Sequence, residues 1–395
     1  MSNHIPTCYL NSNNGKSTLG IGDGPCFTLA CPTQLPALDA FLLEHKNSYV
    51  FGYLSYELKQ HVAHIPSKDN LKLPLAYFWV PSVVAEINQD EISLVQGNDV
   101  TLVHEFIATL TQSLAPDLAP FHARTPREKY IDQVDEIKRL IQRGDLYETN
   151  YCQEYFIENI TLSSPHGLYN LVNQRTEAPF SGLFIADNLW LACGSPERYI
   201  QKEGDILTSQ PIKGTSPRMS DFHADEEAKQ GLIHSKKERA ENVMIVDLVR
   251  NDLSKIAEPG TVNVDELFGL YSFKTVHQMI STISCKLKPS IGFTDILKAS
   301  FPMGSMTGAP KQNAVKFMDQ FEDARREIYS GSLGYFRPGG DFDFNVVIRS
   351  LAYYPTESYL SCGVGSAITI GADAEQEYEE CLLKIGRLIR LKSDE

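Results

Sequence analysis

From Thr125 onward the apolar residues recur in two rhythms. Tyr130, Val134, Ile137, Leu140 and Ile141 fall three and four positions apart, the spacing of one helix face. Thr125-Pro126-Arg127-Glu128 reads as the start of that helix, with a threonine cap, a proline at the first position and a glutamate completing a capping box. Gly144 reads as its stop. Strand-like runs follow at Tyr151–Ile157, Phe180–Ile185 and Leu189–Cys193. A second long helix is expected over about 225–249, broken at Gly231, and a third over about 308–321 behind a Gly/Pro-rich loop. Strands return at Ile328–Phe336, Asp343–Leu351 and Ser358–Cys362, and a last helix runs from Ala374 to about Leu391.

Before Thr125 the pattern is of short strands and loops, at Phe51–Glu57, Ala76–Val84 and Glu91–Val95. Residues 114–123, with Pro116 and Pro120, read as a linker between an N-terminal α+β region (1–120) and a larger part (125–392) on which it packs. Helices and strands come in mixed order, with few strand–helix–strand units, so the α+β class is expected.

The 395 residues are 42% hydrophobic and 22% charged, a soluble globular balance with chain enough for one large domain or two. The net charge of −14, without a basic stripe, argues against a nucleic-acid partner, and any anion site must be locally basic. The apolar runs fall short of the ~20 residues that span a bilayer, so no membrane association is expected. Met1-Ser2-Asn3-His4 opens no signal pattern, and a cytoplasmic location is expected. The eight cysteines contain no Cys-x-x-Cys pair and read as reduced, mostly buried thiols.

Several residues carry candidate chemistry. Glu238 and Glu241, and again Glu377 and Glu380, are spaced to share a helix face. Two such faces suit magnesium, which takes carboxylate oxygens and keeps waters or substrate oxygens; solvated faces with ordinary salt bridges fit the spacing too. Lys384 shares the face of Glu380, and Arg349 follows an apolar strand run; both suit substrate carboxylates. Phe301–Lys311 is a Gly-rich loop entering a helix, an anion site or a plain loop. Lys213, between Pro211-Ile212 and Gly214-Thr215, sits in a predicted tight turn, either as a surface lysine or, if the turn lines a cleft, as a nucleophile. Glu197, after Ser195-Pro196, fits a general acid or a turn residue, and His277 a core histidine or a proton donor.

In order and spacing, Ser195-Pro196-Glu197, Pro211–Arg218, Glu241 with Val246–Leu253, His277, Gly304–Lys311, Arg349 and Glu377–Lys384 resemble the chorismate-utilising enzymes over about residues 125–392, with Gly52–Tyr56 as a fainter extension. The resemblance implies two large, mostly antiparallel sheets packed as a sandwich, with helices outside and the active site in a central cleft. It implies Mg2+ held by Glu241 and Glu380, backed by Glu238 and Glu377. It places Lys384 and the 304–311 loop at the ring carboxylate and Arg349 at the enolpyruvyl side. It extends substrate contacts to Thr215, Gly304, Ser305, Thr307, Gly308, Tyr335 and Gly363.

Within the family, lysine at position 213 marks the aminodeoxychorismate-forming branch, where the anthranilate-forming branch has alanine. The implied reaction joins chorismate and ammonia into 4-amino-4-deoxychorismate, for para-aminobenzoate and folate synthesis, through a covalent Lys213 intermediate, with Glu197 and His277 as proton donors. The isochorismate branch places a base lysine where this chain has Glu148; amino-transferring members more often carry glutamine there. No glutaminase motif is present, so ammonia is expected from a separate glutamine amidotransferase subunit, and aromatisation from another enzyme. A free lysine, with a pKa of ~10.4, is neutral in only about one molecule in 2,500 at pH 7, so burial, Arg218 or magnesium is expected to lower it. An anthranilate-forming component and a catalytically silent binding scaffold are the alternatives.

Overall fold

The computed structural model describes residues 5–63, 72–89, 91–186, 188–274 and 276–392. Residues 1–4, on which the reading of the N-terminus rests, lie outside them. Two antiparallel sheets, of eleven and ten strands, form the body. Their inner faces interlock through aromatic rings: Phe184 of the first sheet meets Tyr53, Tyr77 and Trp79 of the second at centroid distances of 5.4, 6.1 and 5.7 Å. The first 120 residues are woven into both sheets. Thr7–Asn11 pairs with Phe180–Ala186, and Val50–Leu54 pairs with Ser332–Phe336.

Seven elements carry the site. They are the strands β1 (Glu148–Ile157), β2 (Ile212–Pro217), β3 (Val276–Lys286) and β4 (Tyr359–Thr369), and the helices α1 (Lys236–Ser254), α2 (Lys311–Phe321) and α3 (Ala374–Ile385). β1 and β4 pair along ten residues in the first sheet; β2 pairs with β3 in the second.

The helix at Arg127–Gln142 buries Tyr130, Val134, Ile137 and Leu140, as its spacing requires. Its expected cap does not form: the Thr125 hydroxyl donates to Asp323 instead, at 3.0 Å. The helix expected over 225–249 is two helices, Phe222–His234 and α1. The break falls at Ser235, whose hydroxyl caps α1 by accepting the Glu238 N–H, and Gly231 stays helical. The strand expected over Asp343–Leu351 ends at Asn345, and the chain turns at Arg349 in a left-handed conformation, φ 51°. The last helix stops at Ile385, short of Leu391.

Candidate active site

Lys213 lies in β2 rather than in a turn. Between the Ile212–Ile280 and Thr215–Gln278 pairs, β2 advances three residues while β3 advances two, so Lys213 and Gly214 form a bulge. Gly214 sits at φ 88°, and a Cβ there would stand 3.0 Å from Glu238 Oε2. The bulge turns Lys213 inward. Its side chain is 10% exposed, and Nζ donates to Glu148 Oε1 at 2.9 Å. Glu148 opens β1, so this pair joins the two sheets.

The protein groups by themselves do not bring Lys213 toward neutrality. Burial pushes its ammonium pKa down, but Glu148, Glu241 and Glu197 outweigh burial and hold it well above the usual lysine value. Arg218 plays no part: its guanidinium grips Asp225 with Nε 3.0 Å from both oxygens.

Glu197 follows the strand Leu189–Ser195 and is buried. Burial pushes its carboxyl up to about 7, against the pull of Ser305, Lys213 and Arg349. Near neutral pH such a group can hold a proton and give it up. Ser305 belongs to the loop ahead of α2. That loop reaches β1 because Gly308, at φ 142°, lets the chains touch; a Cβ there would lie 2.2 Å from the Glu148 carbonyl oxygen. The Asn150 N–H donates to the Thr307 carbonyl at 2.7 Å, and the Tyr147 N–H to that of Ala309 at 2.8 Å.

The two acidic faces meet. Lys237 of α1 reaches Glu377 and Glu380 of α3 at 2.9 and 3.9 Å, and Glu380 also pairs with Lys384 at 2.7 Å. Burial alone would raise the Glu380 pKa, but Lys384 and Lys237 hold it below the usual value. Glu238 is raised by burial and by Glu380 across the gap. Glu241 is buried, its Oε1 has no hydrogen-bond partner, and burial pushes its carboxyl up to about 7. Among the described residues no three such side chains form a ready-made cation cluster. The donor chemistry nevertheless fits a hard divalent cation: an unpartnered buried carboxylate oxygen beside Glu238, facing Glu380.

Arg349 is largely buried beside Arg387 and Glu197, and burial holds its guanidinium below the usual range. Thr215 is exposed on β2, one residue beyond the bulge. Gly304 packs on Leu248 of α1, where a Cβ would meet its Cδ2 at 2.9 Å. Lys384 also donates to the Gly365 carbonyl at 3.0 Å. Lys311 is tied to Asp252 and to the Ser300 carbonyl, fixing α2 against α1.

Three expected residues are engaged elsewhere. His277 has both ring nitrogens in hydrogen bonds, with Ser272 at 2.8 Å and Asp225 at 3.0 Å. Tyr335 stacks with Phe51 and Tyr49 at 5.7 and 6.4 Å. Gly363 lies under the Tyr329 ring, where a Cβ would come within 2.2 Å.

Two supporting residues escaped the sequence reading. Arg326 is buried, pairs with Glu322 at 2.6 Å, and donates to the carbonyls of Met306 and Asn150 at 2.7 and 2.9 Å, clamping the loop to β1. Gln278 of β3 is fully buried with neither end of its amide hydrogen-bonded, an unusual state for an interior polar group. The charged run around 326 was a visible but uninformative signal; nothing in the sequence marked Gln278.

A family model described as chorismate binding enzyme matches residues 8–390. The chain belongs to the chorismate binding enzymes. Aminodeoxychorismate synthase component 1 of Klebsiella aerogenes is 34% identical over 351 residues, 86% of this chain and 76% of that one. The protein of the same name in Bacillus subtilis (strain 168) is 29% identical over 422 residues, covering 99% and 89%. Two solved structures share the fold of this chorismate binding enzyme. Anthranilate synthase component I from Streptococcus pneumoniae TIGR4 has a TM-score of 0.77 at 21% identity, covering 98% of this chain and 91% of that one. The menaquinone-specific isochorismate synthase MenF from Escherichia coli has 0.77 at 18%, covering 97% and 87%. No helix of the described residues is long and apolar enough to cross a membrane.

Proposed function

We propose that this chorismate binding enzyme transfers an amino group from ammonia to C4 of chorismate, forming 4-amino-4-deoxychorismate through a covalent bond to Lys213. The observation that carries this reading is the seat of Lys213: an inward-turned amine among Glu148, Glu197 and Glu241, on a bulge whose positive φ at Gly214 favours glycine. Relatives named aminodeoxychorismate synthase component 1, at 34% identity over 86% of the chain, support it.

The Lys213 amine attacks C2 while the C4 hydroxyl departs. Glu197, whose carboxyl ionises at about 7, gives that hydroxyl its proton. Ammonia then adds at C4 and expels the lysine, and Glu197 takes back a proton from the new ammonium. Arg349 receives the enolpyruvyl carboxylate as a bidentate partner, in a pocket where burial strengthens the contact.

Glu241 and Glu380, backed by Glu238 and Glu377, would hold magnesium, which supplies positive charge for the ring carboxylate. Lys384 adds to that charge from α3. Thr215 and the backbone of Gly304–Gly308 are assigned to substrate contacts. His277 orients the Arg218–Asp225 segment beside it rather than donating a proton.

The name component 1 in the relatives fits a partner component, here a glutamine amidotransferase that supplies ammonia. The test is mass analysis of the product from chorismate, magnesium and an ammonium salt. 4-Amino-4-deoxychorismate supports the reading; fluorescent anthranilate, or unconsumed chorismate, overturns it.

A further inference from the structure

We propose that Glu148 is the proton acceptor for Lys213, taking the ammonium proton as the amine attacks and returning it when the amine leaves. This rests on the covalent reading above and assigns a catalytic role to a residue that reading does not use.

Glu148 is the carboxylate bonded to the reacting nitrogen, with Oε1 2.9 Å from Lys213 Nζ. Its side chain is 2% exposed, so bulk water does not compete for the proton. Its second oxygen, Oε2, is buried with no hydrogen-bond partner, so the carboxyl can be neutral without breaking another bond. The backbone holds it firmly: Glu148 pairs with Thr369 on one side and Ala309 on the other.

The other charged groups facing Lys213 are engaged in different tasks. Glu197 must arrive protonated to serve the leaving hydroxyl. Glu241 of α1 interacts with both Lys213 and Glu148 but is assigned to magnesium together with Glu238, which faces Glu380 of α3; Lys237 pairs with Glu377 and Lys384 with Glu380. A lysine amine is almost wholly protonated near neutral pH, and Lys213 donates to Glu148, so an acceptor is needed at the moment of attack.

The protons balance. Lys213 Nζ passes one hydrogen to Glu148, and its lone pair forms the bond to C2. The two ring double bonds shift, the C4–O bond breaks, and Glu197 protonates the departing hydroxyl to water. The adduct nitrogen is a secondary ammonium beside a neutral Glu148. When ammonia bonds to C4, the double bonds shift back and the C2–N bond breaks. Lys213 recovers its proton from Glu148, and the C4 ammonium returns one to Glu197.

The test follows formation of the Lys213 adduct from chorismate and magnesium without ammonia, by intact-protein mass, across about pH 6 to 9. The variants are Glu148→Gln, Glu148→Ser and Glu148→Asp. Without an acceptor, attack depends on the minor population of free amine. The ratio of variant to wild-type rates is therefore expected to rise about tenfold per pH unit for Gln and Ser. Asp, which keeps a carboxylate, is expected to hold a flat ratio at reduced rate. A flat ratio for Gln and Ser, or wild-type rates in both, overturns the proposal. Adduct formation in Lys213→Ala, or turnover in a wild type that forms no adduct, overturns the covalent reading and this proposal with it. A steep ratio with adduct confined to Lys213 supports both.

Discussion

Replacing Gly308 with alanine tests whether the loop and β1 build the site together. At φ 142° a residue with a side chain is strained by about 1–3 kcal/mol. The added Cβ would also stand 2.2 Å from the Glu148 carbonyl oxygen and 2.7 Å from Thr149 Cα. Both are backbone atoms, so relief requires the loop and strand to part. Parting them weakens the Asn150–Thr307 and Tyr147–Ala309 hydrogen bonds, at about 1 kcal/mol each. The sum is roughly 3–5 kcal/mol, a large share of the ~5–15 kcal/mol that holds a typical domain. The same movement carries Ser305 away from Glu197 and shifts Glu148 relative to Lys213. Urea unfolding is therefore expected to show a much lower midpoint. Ammonia-dependent kcat of the remaining folded protein is expected to fall at least about tenfold, since small displacements at a reacting centre are costly. Unfolding within about 0.5 kcal/mol of wild type together with unchanged kcat would refute the reasoning.

Other consequences concern charge. Because Glu197 must be protonated and ionises at about 7, turnover at constant free ammonia is expected to fall as pH rises through 7; Glu197→Gln should remove that limb along with most activity. Magnesium is expected to raise the thermal midpoint of wild type but not of the double variant Glu241→Gln, Glu380→Gln, read by calorimetry over a magnesium titration. Breaking the buried Arg326–Glu322 pair with Arg326→Met should destabilise by about 3–5 kcal/mol, measured by urea unfolding, because Glu322 is left buried and unpaired.

The sequence made some of this legible. The glutamates of α1 and α3 were readable because side chains three apart share a helix face whatever the tertiary context. The helix at Arg127–Gln142 was readable from its apolar stripe, but not its cap, because Asp323 competes for the Thr125 hydroxyl from 198 residues away. The strand through Arg349 was overextended, since an apolar run does not reveal a single left-handed residue. The ion-pair partner of Lys213 was hidden for a related reason. It is Glu148, 65 residues upstream in the opposite sheet, and neither residue's local sequence records that the sheets bring them together. The partners of His277 were equally hidden: Ser272 lies on the neighbouring strand and Asp225 on a separate helix, 52 residues away.

The most direct test of the central claim is ammonia-dependent formation of 4-amino-4-deoxychorismate by Lys213→Ala, confirmed as folded and still binding chorismate. Loss of product, with chorismate recovered unchanged, is the expected result. Full ammonia-dependent activity in that variant would contradict it.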